Sequence, residues 1–187
     1  MLSDVILAEL QNIASADKRA VLMRFFKTAP GEYGEGDQFL GIPVPLVRNT
    51  ARSFAEADMA TVEQLIESQW HEARLCALLL LTEKFRKNIG ERDRIYQFYL
   101  SKTRFINNWD LVDLSAPQIV GKYLIDKPRS ILYDLADDPL LWNRRIAVVS
   151  TLALIKNDEF TDTLNLIELL MYDKERLMHK AMGWMLR

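Results

Sequence analysis

Apolar residues recur along most of the chain at the three- and four-residue spacing of a helix face. Two short stripes, 5–13 and 21–26, lie either side of a polar break and predict the first two helices. Similar stripes predict further helices at 43–54, 58–66, 75–85, 95–100, 109–124, 128–135, 141–155, 164–171 and 177–186, with Asp58 or Thr61 as a cap. No segment of comparable length alternates strictly between apolar and polar residues. The sequence therefore predicts an all-α protein.

The one non-helical stretch, 28–38, contains three of the seven glycines and three acidic residues. Glycine-rich loops can hold phosphate, but this one lacks a terminal Gly-Lys-Ser/Thr and a preceding strand, and its acids would repel phosphate. We therefore disfavour a nucleotide-binding loop. Two interpretations stay open: a solvated connection between helices, and a flexible flap over a cleft.

Polar and aromatic residues precede an apolar run at regular intervals. The steps from His71 to Trp109, to Arg145 and to Lys180 are 38, 36 and 35 residues. These steps are close to the length of a two-helix repeat in helical solenoids. We therefore predict one domain, 1–187, of antiparallel helical hairpins stacked as a curved solenoid. In such a fold the second helices line a concave groove, where these four residues would converge.

Composition restricts the class of protein. No apolar run is long enough to span a membrane, and the first residues do not resemble a secretory signal. A single cysteine, Cys76, excludes an internal disulfide and a cysteine-rich zinc site, so we expect a cytoplasmic protein. We also expect it to act as a monomer. The last predicted helix has no C-terminal capping signal, so we expect the natural chain to continue beyond Arg187.

The charge balance limits how the protein could bind a polyanion. The formal net charge is −2, which excludes a protein that coats nucleic acid through charge alone. Residues 1–70 contain 6 Lys/Arg and 10 Asp/Glu, whereas residues 71–187 contain 18 and 16. A polyanion site would therefore be a local patch in the later part. With only two histidines, His71 and His179, and no acid-rich ligand spacing, we expect no metal and no cofactor.

Trp109 and Asp113 lie four residues apart, on one face of a predicted helix. An acid beside an aromatic ring is unusual on a solvent face and costly in a core, so the pair is a candidate for a site. The alternative interpretation is structural. In it, Asp113 forms an ion pair with Arg144 or Arg145 between repeats, and Trp109 is a core residue.

Four further side chains are candidates for binding phosphate: Arg144, Arg145, Lys180 and His71. Adjacent arginines point about 100° apart, so one would face the groove and the other solvent or a neighbouring helix. Both arginines could equally be a surface pair, and a histidine at a helix start is often structural. Lys180 lies four residues before Trp184, so a polar group is again paired with a tryptophan. Gathered on one wall with the carboxylate, these groups would suit a cationic or sugar-like moiety beside phosphates.

Four motifs, in this order, resemble the DNA alkylation repair (AlkD-like) glycosylase family. They are FFKTAPGEYGEGDQFLG at 25–41, NNWDLVD at 107–113, RRIA at 144–147 and HKAMGWMLR at 179–187. The resemblance implies a HEAT-like helical solenoid whose concave face binds duplex DNA containing alkylated bases. It also implies an enzyme that excises positively charged N3- and N7-alkylated purines, without a metal or cofactor.

The same resemblance implies roles for individual residues. Asp113 would be the catalytic aspartate, Trp109 and Trp184 the tryptophans against the deoxyribose, and Arg145 the arginine that binds a phosphate. Positive charge would build up on the sugar in an oxocarbenium-like state, and the carboxylate and indole faces would stabilise it without flipping of the base.

A second interpretation stays open because the net charge is slightly negative. In it, the protein is a noncatalytic HEAT-like module that binds DNA or a protein partner through the same groove. Salt-dependent binding to duplex DNA without base release would favour this interpretation.

Overall fold

The computed structural model describes residues 1–187, and it contains twelve α-helices and no strand. Its one extended pairing is an isolated bridge between Gln38 and Trp70. None of the helices is both long and apolar enough to cross a lipid bilayer. The chain divides into two compact units, unit 1 (Met1–Lys87) and unit 2 (Asn88–Arg187). The prediction of an all-α protein is confirmed, while the single solenoid domain stays a prediction.

Unit 1 is built around its longest helix. Its helices are α1 (Leu2–Asn12), α2 (Ala16–Phe25), α3 (Val44–Ser53), α4 (Met59–Ile66) and α5 (His71–Lys87). Helix α5 packs against α3 and α4 and buries every residue of the apolar run 75–81. Such a run is excluded from water on all sides, which makes α5 the centre of the unit. Asp58 is the observed cap of α4, because its carboxylate accepts the Thr61 N–H at 2.8 Å.

Unit 2 is built around α9. Its helices are α6 (Arg92–Ser101), α7 (Trp109–Ala116), α8 (Ser130–Ala136), α9 (Leu141–Ser150), α10 (Leu152–Ile155), α11 (Thr161–Leu170) and α12 (Arg176–Met185). Helix α9 packs against α7, α8 and α12 and buries eight of its ten residues. Three of those eight residues are polar, namely Asn143, Arg145 and Ser150, so this core helix also carries buried polar groups that need partners.

Two of the predicted helices are interrupted. The predicted helix 109–124 contains α7 and then a π-helical turn, Pro117–Gly121. Proline has no N–H for the helical ladder, so the ladder changes register there. A Cβ on the final glycine of this turn would lie 2.2 Å from the Ser150 carbonyl oxygen, so only glycine allows this close approach to α9. The predicted helix 141–155 is likewise two helices, which meet at Thr151.

The end of the glycine-rich loop is anchored to the start of α5. The buried Asp37 carboxylate accepts a hydrogen bond from Arg74 and lies 2.8 Å from Nδ1 of His71. Burial alone would raise the pKa of Asp37, but the hydrogen bonds and charges of His71 and Arg74 outweigh it and hold that pKa below the usual 3.8. The Glu72 carboxylate accepts three backbone N–H groups of residues 40–42 at 2.8–3.0 Å. This end of the loop is therefore part of the core of unit 1.

Candidate active site in unit 2

Helix α7 carries Trp109 and Asp113 one turn apart. The helix begins after Asn108, whose side-chain oxygen accepts the Trp109 N–H at 2.9 Å. The neighbouring positions Leu111 and Val112 are fully buried and fix the helix against the core. That packing leaves the Trp109 ring half-buried, and the Asp113 side chain is 20% exposed. The carboxylate is therefore near the surface but not freely solvated.

Arg145 holds the Asp113 carboxylate with two hydrogen bonds. Its Nε donates to Oδ1 at 2.9 Å and its Nη2 to Oδ2 at 2.8 Å. The third nitrogen, Nη1, donates to the main-chain carbonyl of Leu177 at 2.6 Å. One guanidinium in α9 thus joins the carboxylate of α7 to the first turn of α12. The ion pair between Asp113 and Arg145, one of the alternatives left open by the sequence, is present.

The pair is buried unequally. The Arg145 side chain is only 5% exposed, one quarter of the exposure of its partner, so the pair turns its negative edge toward solvent. Burial raises the pKa of Asp113 above its usual 3.8; the hydrogen bonds and charge of Arg145 counter this, and the charge of Asp110 adds to the rise. A carboxylate that accepts two guanidinium hydrogen bonds is in its ionised form. The site therefore presents a fixed, partly dehydrated anion.

Helix α12 contributes the second tryptophan and a free cation. The Trp184 ring is 39% exposed, which is unusual for the largest apolar side chain. Lys180 lies one turn earlier, is exposed and has no acceptor within the protein. Helix α12 packs against α9, and Leu177, whose carbonyl binds Arg145, lies one turn before Lys180. The same helix is thus tied to the ion pair and exposes both groups.

Three of the four side chains predicted to bind phosphate are engaged within the protein. Arg145 is buried, and each of its three nitrogens is directed at an acceptor within the protein. Arg144 donates to Asp173 at 2.7 Å and to two main-chain carbonyls of residues 138–139, which ties α9 to the segment before α12.

The third of these engaged side chains is that of His71 in unit 1. Its ring is 2% exposed, is stacked on Phe39 at 4.3 Å between centroids, and faces Asp37. This side chain is therefore enclosed within unit 1, and its role in binding phosphate stays a prediction. Of the four basic candidates, only Lys180 is open to a ligand.

Several residues that shape these sites were missed from the sequence. The Leu177 contribution is a main-chain carbonyl, which has no signature in the side-chain pattern. Asp37 and Glu72 were not predicted as site or core residues either, although they organise unit 1. The available signal was the cluster His71-Glu72-Ala73-Arg74 after an acidic loop, because two cations so close to a buried helix need acidic partners. No group of three or more His, Cys, Asp or Glu side chains is placed to hold a metal ion.

Known proteins are similar to this chain in fold and in sequence pattern. A solved structure described as a predicted DNA alkylation repair enzyme from Enterococcus faecalis superposes with a TM-score of 0.66. It is 19% identical, and the match covers 92% of this chain and 81% of that one, so it shows a shared fold. No curated protein matches the sequence. The family model described as DNA alkylation repair enzyme matches residues 6–187, and the chain belongs to that family.

Proposed function

We propose that this protein is a DNA glycosylase that removes positively charged N3- and N7-alkylated purines from duplex DNA. The observation that carries the proposal is the Asp113 carboxylate, held ionised by the more deeply buried Arg145 beside the half-buried Trp109. A buried cation behind an outward-facing anion costs desolvation free energy, and such an arrangement is frequent at functional sites. Membership of a DNA alkylation repair family supports alkylated DNA as the substrate.

The chemistry needs little from the protein because alkylation has already made the base a good leaving group. As the bond between C1′ and the purine nitrogen breaks, the bonding electrons go to the base and neutralise its charge. The sugar then becomes an oxocarbenium-like cation, and water adds to C1′ and loses a proton. A fixed anion acts on charge that exists only in the transition state, which is the interaction that accelerates a reaction.

Asp113 would supply that anion and orient the attacking water. Arg145 would act as a positioning residue, since its two hydrogen bonds fix both carboxylate oxygens and its burial keeps its own charge behind them. The indole faces of Trp109 and Trp184 would contact the deoxyribose, where an aromatic face favours developing positive charge. Lys180 would hold a backbone phosphate. No deep base pocket is needed, and the base stays in the stack.

The hydrogen bonds that Asp113 already accepts from Arg145 favour a second candidate function. Both carboxylate oxygens already accept bonds from Arg145, as in an ordinary structural ion pair. In that case the protein would be a noncatalytic module that binds DNA or a protein partner through the same face.

The two candidates differ in which lesions are released. Duplex oligonucleotides that contain 7-methylguanine, 3-methyladenine or the neutral lesion 1,N6-ethenoadenine would be incubated with excess protein, and the free base would be quantified. The glycosylase predicts release of the two charged bases and none of the neutral base. Salt-dependent binding to all three duplexes, with no release from any, would overturn the glycosylase in favour of the noncatalytic module.

A further inference from the structure

Unit 1 contains a basic cleft that the excision chemistry does not use. The cleft has a volume of about 480 Å³ and lies between α3 and the second half of α5. Its charged lining residues are Arg48, Arg52, Glu83, Arg86 and Lys87. We propose that this cleft binds a phosphate-bearing anion.

The concentration of positive charge in the cleft is local. Unit 1 contains ten Lys and Arg residues against twelve Asp and Glu, so the unit as a whole is slightly acidic. Four of those ten basic residues line this one cleft, with a single acid among them. On an acidic body such a concentration attracts anions selectively to one place.

Arg48 and Arg52 have no acceptor within the protein. They lie four residues apart on the same face of α3, both are exposed, and neither forms a hydrogen bond or ion pair. Like charges at this spacing repel one another. The helix dipole favours a cation in the last turn of a helix, which explains an unpaired arginine at position 52. It does not explain an unpaired Arg48 in the middle of the helix. A phosphate between the two guanidinium forks would relieve the repulsion and accept bidentate bonds from each.

The α5 side of the cleft is partly neutralised by Glu83. Arg86 donates to the Glu83 oxygens at 2.9 and 2.6 Å, and Lys87 lies 3.4 Å from one of them. The hydrogen bond from Arg86 is the main reason that the pKa of Glu83 is lowered to about 2. Glu83 is therefore ionised at neutral pH and would compete with an incoming anion for the same two cations.

The floor of the cleft is apolar and close-packed. Ala51, Leu79 and Leu80 line it and are buried. A polar rim over an apolar floor and a volume of a few hundred Å³ are typical of sites for small organic molecules. The anion could belong to a free phosphorylated molecule or to the backbone of bound DNA. Both sources would present phosphate oxygens to the guanidinium groups of Arg48 and Arg52.

Binding of inorganic pyrophosphate to the full chain, measured by isothermal titration calorimetry at low salt, tests the proposal. The double variant Arg48→Gln/Arg52→Gln should weaken binding about tenfold or more, because two charge-assisted contacts are lost. The matched control, Lys18→Gln/Arg24→Gln, removes the same charge from exposed positions on α2, outside the cleft, and should change the affinity less than about twofold.

A variant that should strengthen binding, rather than weaken it, distinguishes a binding role of the cleft from a structural one. Glu83→Gln removes the competing acid, so it should strengthen pyrophosphate binding severalfold, whereas Glu9→Gln on α1 should not. No binding to the wild-type protein, or equal losses in the cleft variant and its control, would overturn the proposal.

A parallel titration with undamaged duplex DNA distinguishes the two sources. If DNA displaces pyrophosphate and loses affinity with Arg48→Gln/Arg52→Gln, the anion is the DNA backbone. If DNA binding is unchanged while pyrophosphate binding is lost, the ligand is a free phosphorylated molecule. Base release is not the readout, so these results do not depend on the excision activity proposed above.

Discussion

Arg145 shows how one side chain can set the state of another. Its guanidinium is nearly inaccessible to solvent, and each of its three nitrogens has an acceptor within the protein. Two of the acceptors are the Asp113 oxygens, and the third is a main-chain carbonyl of α12. A buried cation is tolerated only with such complete pairing. The consequence is a carboxylate whose charge, position and water exposure are determined by a residue that does not itself reach the surface.

The four tryptophans divide into roles that substitutions can separate, and two of them contrast sharply. Trp184 is 39% exposed, whereas Trp142 is 5% exposed in the core of unit 2. Trp184→Ala should slow base release about tenfold, as expected for a lost cation–π contact, with little change in stability. Trp142→Ala should instead lower the free energy of unfolding by about 3–5 kcal/mol. Urea denaturation and a base-release assay on both variants check the division, and a large loss of stability in Trp184→Ala would contradict it.

Asp37 gives a stability prediction with a defined pH dependence. The pKa of Asp37 is lowered in the folded protein, so its contribution is complete above the unfolded pKa of about 4 and is lost as pH falls through the folded value. Asp37→Asn should lower the free energy of unfolding at pH 7 by about 3 kcal/mol, because the buried Arg74 keeps only carbonyl acceptors.

The control for Asp37 is the exposed acid Asp17. Urea unfolding from pH 7 to pH 3 should show a shallower acid dependence for Asp37→Asn than for the wild-type protein. Asp17→Asn should follow the wild-type curve. A parallel loss of stability in Asp37→Asn and the wild type as pH falls would show that Asp37 does not titrate as argued.

At the scale of helices, the boundaries that follow from local chemistry were predictable and those set by packing were not. The cap at Asp58 follows from a side-chain oxygen at a helix start. Pro117 itself indicated a break in the predicted helix 109–124. The apolar periodicity continues across the proline, however, so one continuous helix was predicted. The separation at Thr151 has no comparable signal, because neither a proline nor a glycine marks it in the sequence.

Two glycines with the same backbone conformation test the packing of the loop that enters α3. Gly41 and Gly36 both have positive φ, +88° and +79°. A Cβ on Gly41 would lie 2.1 Å from the Ser15 carbonyl oxygen, whereas a Cβ on Gly36 would meet nothing within 4 Å. Gly36→Ala should therefore cost about 1 kcal/mol of unfolding free energy, the conformational part alone. Gly41→Ala should cost several times more, and equal costs in thermal or urea unfolding would show that the close approach is absent.

For the whole molecule, the all-α class followed from periodicity, and the family followed from four spaced motifs. The state of each site residue did not follow, because burial and partners depend on which helices meet. Arg144, Arg145 and His71 all had the right chemistry for phosphate, and all three are occupied within the protein. A sequence shows which side chains could bind an anion, whereas the fold decides which of them are still free to do so.

Because the net charge is −2, DNA affinity should depend on few phosphate contacts. Lys180 is the one predicted contact that is open. Lys180→Gln should weaken duplex binding and reduce the slope of log affinity against log salt concentration by about 1. Lys156→Gln, also exposed in unit 2 but not a predicted contact, should leave the slope unchanged. Fluorescence anisotropy across a salt series measures both, and equal slopes for wild type and Lys180→Gln would remove Lys180 from the interface.

The most direct test of the proposed activity is the single-turnover rate of 7-methylguanine release by Asp113→Asn. Asp162→Asn is the matched control, since Asp162 forms a comparable half-buried ion pair with Arg129 in the same unit. With folding of both variants verified by circular dichroism, Asp113→Asn should release the base at least about 100-fold more slowly than the wild type. Asp162→Asn should stay within a few-fold of it. Release by Asp113→Asn at the wild-type rate would contradict the catalytic role of this carboxylate.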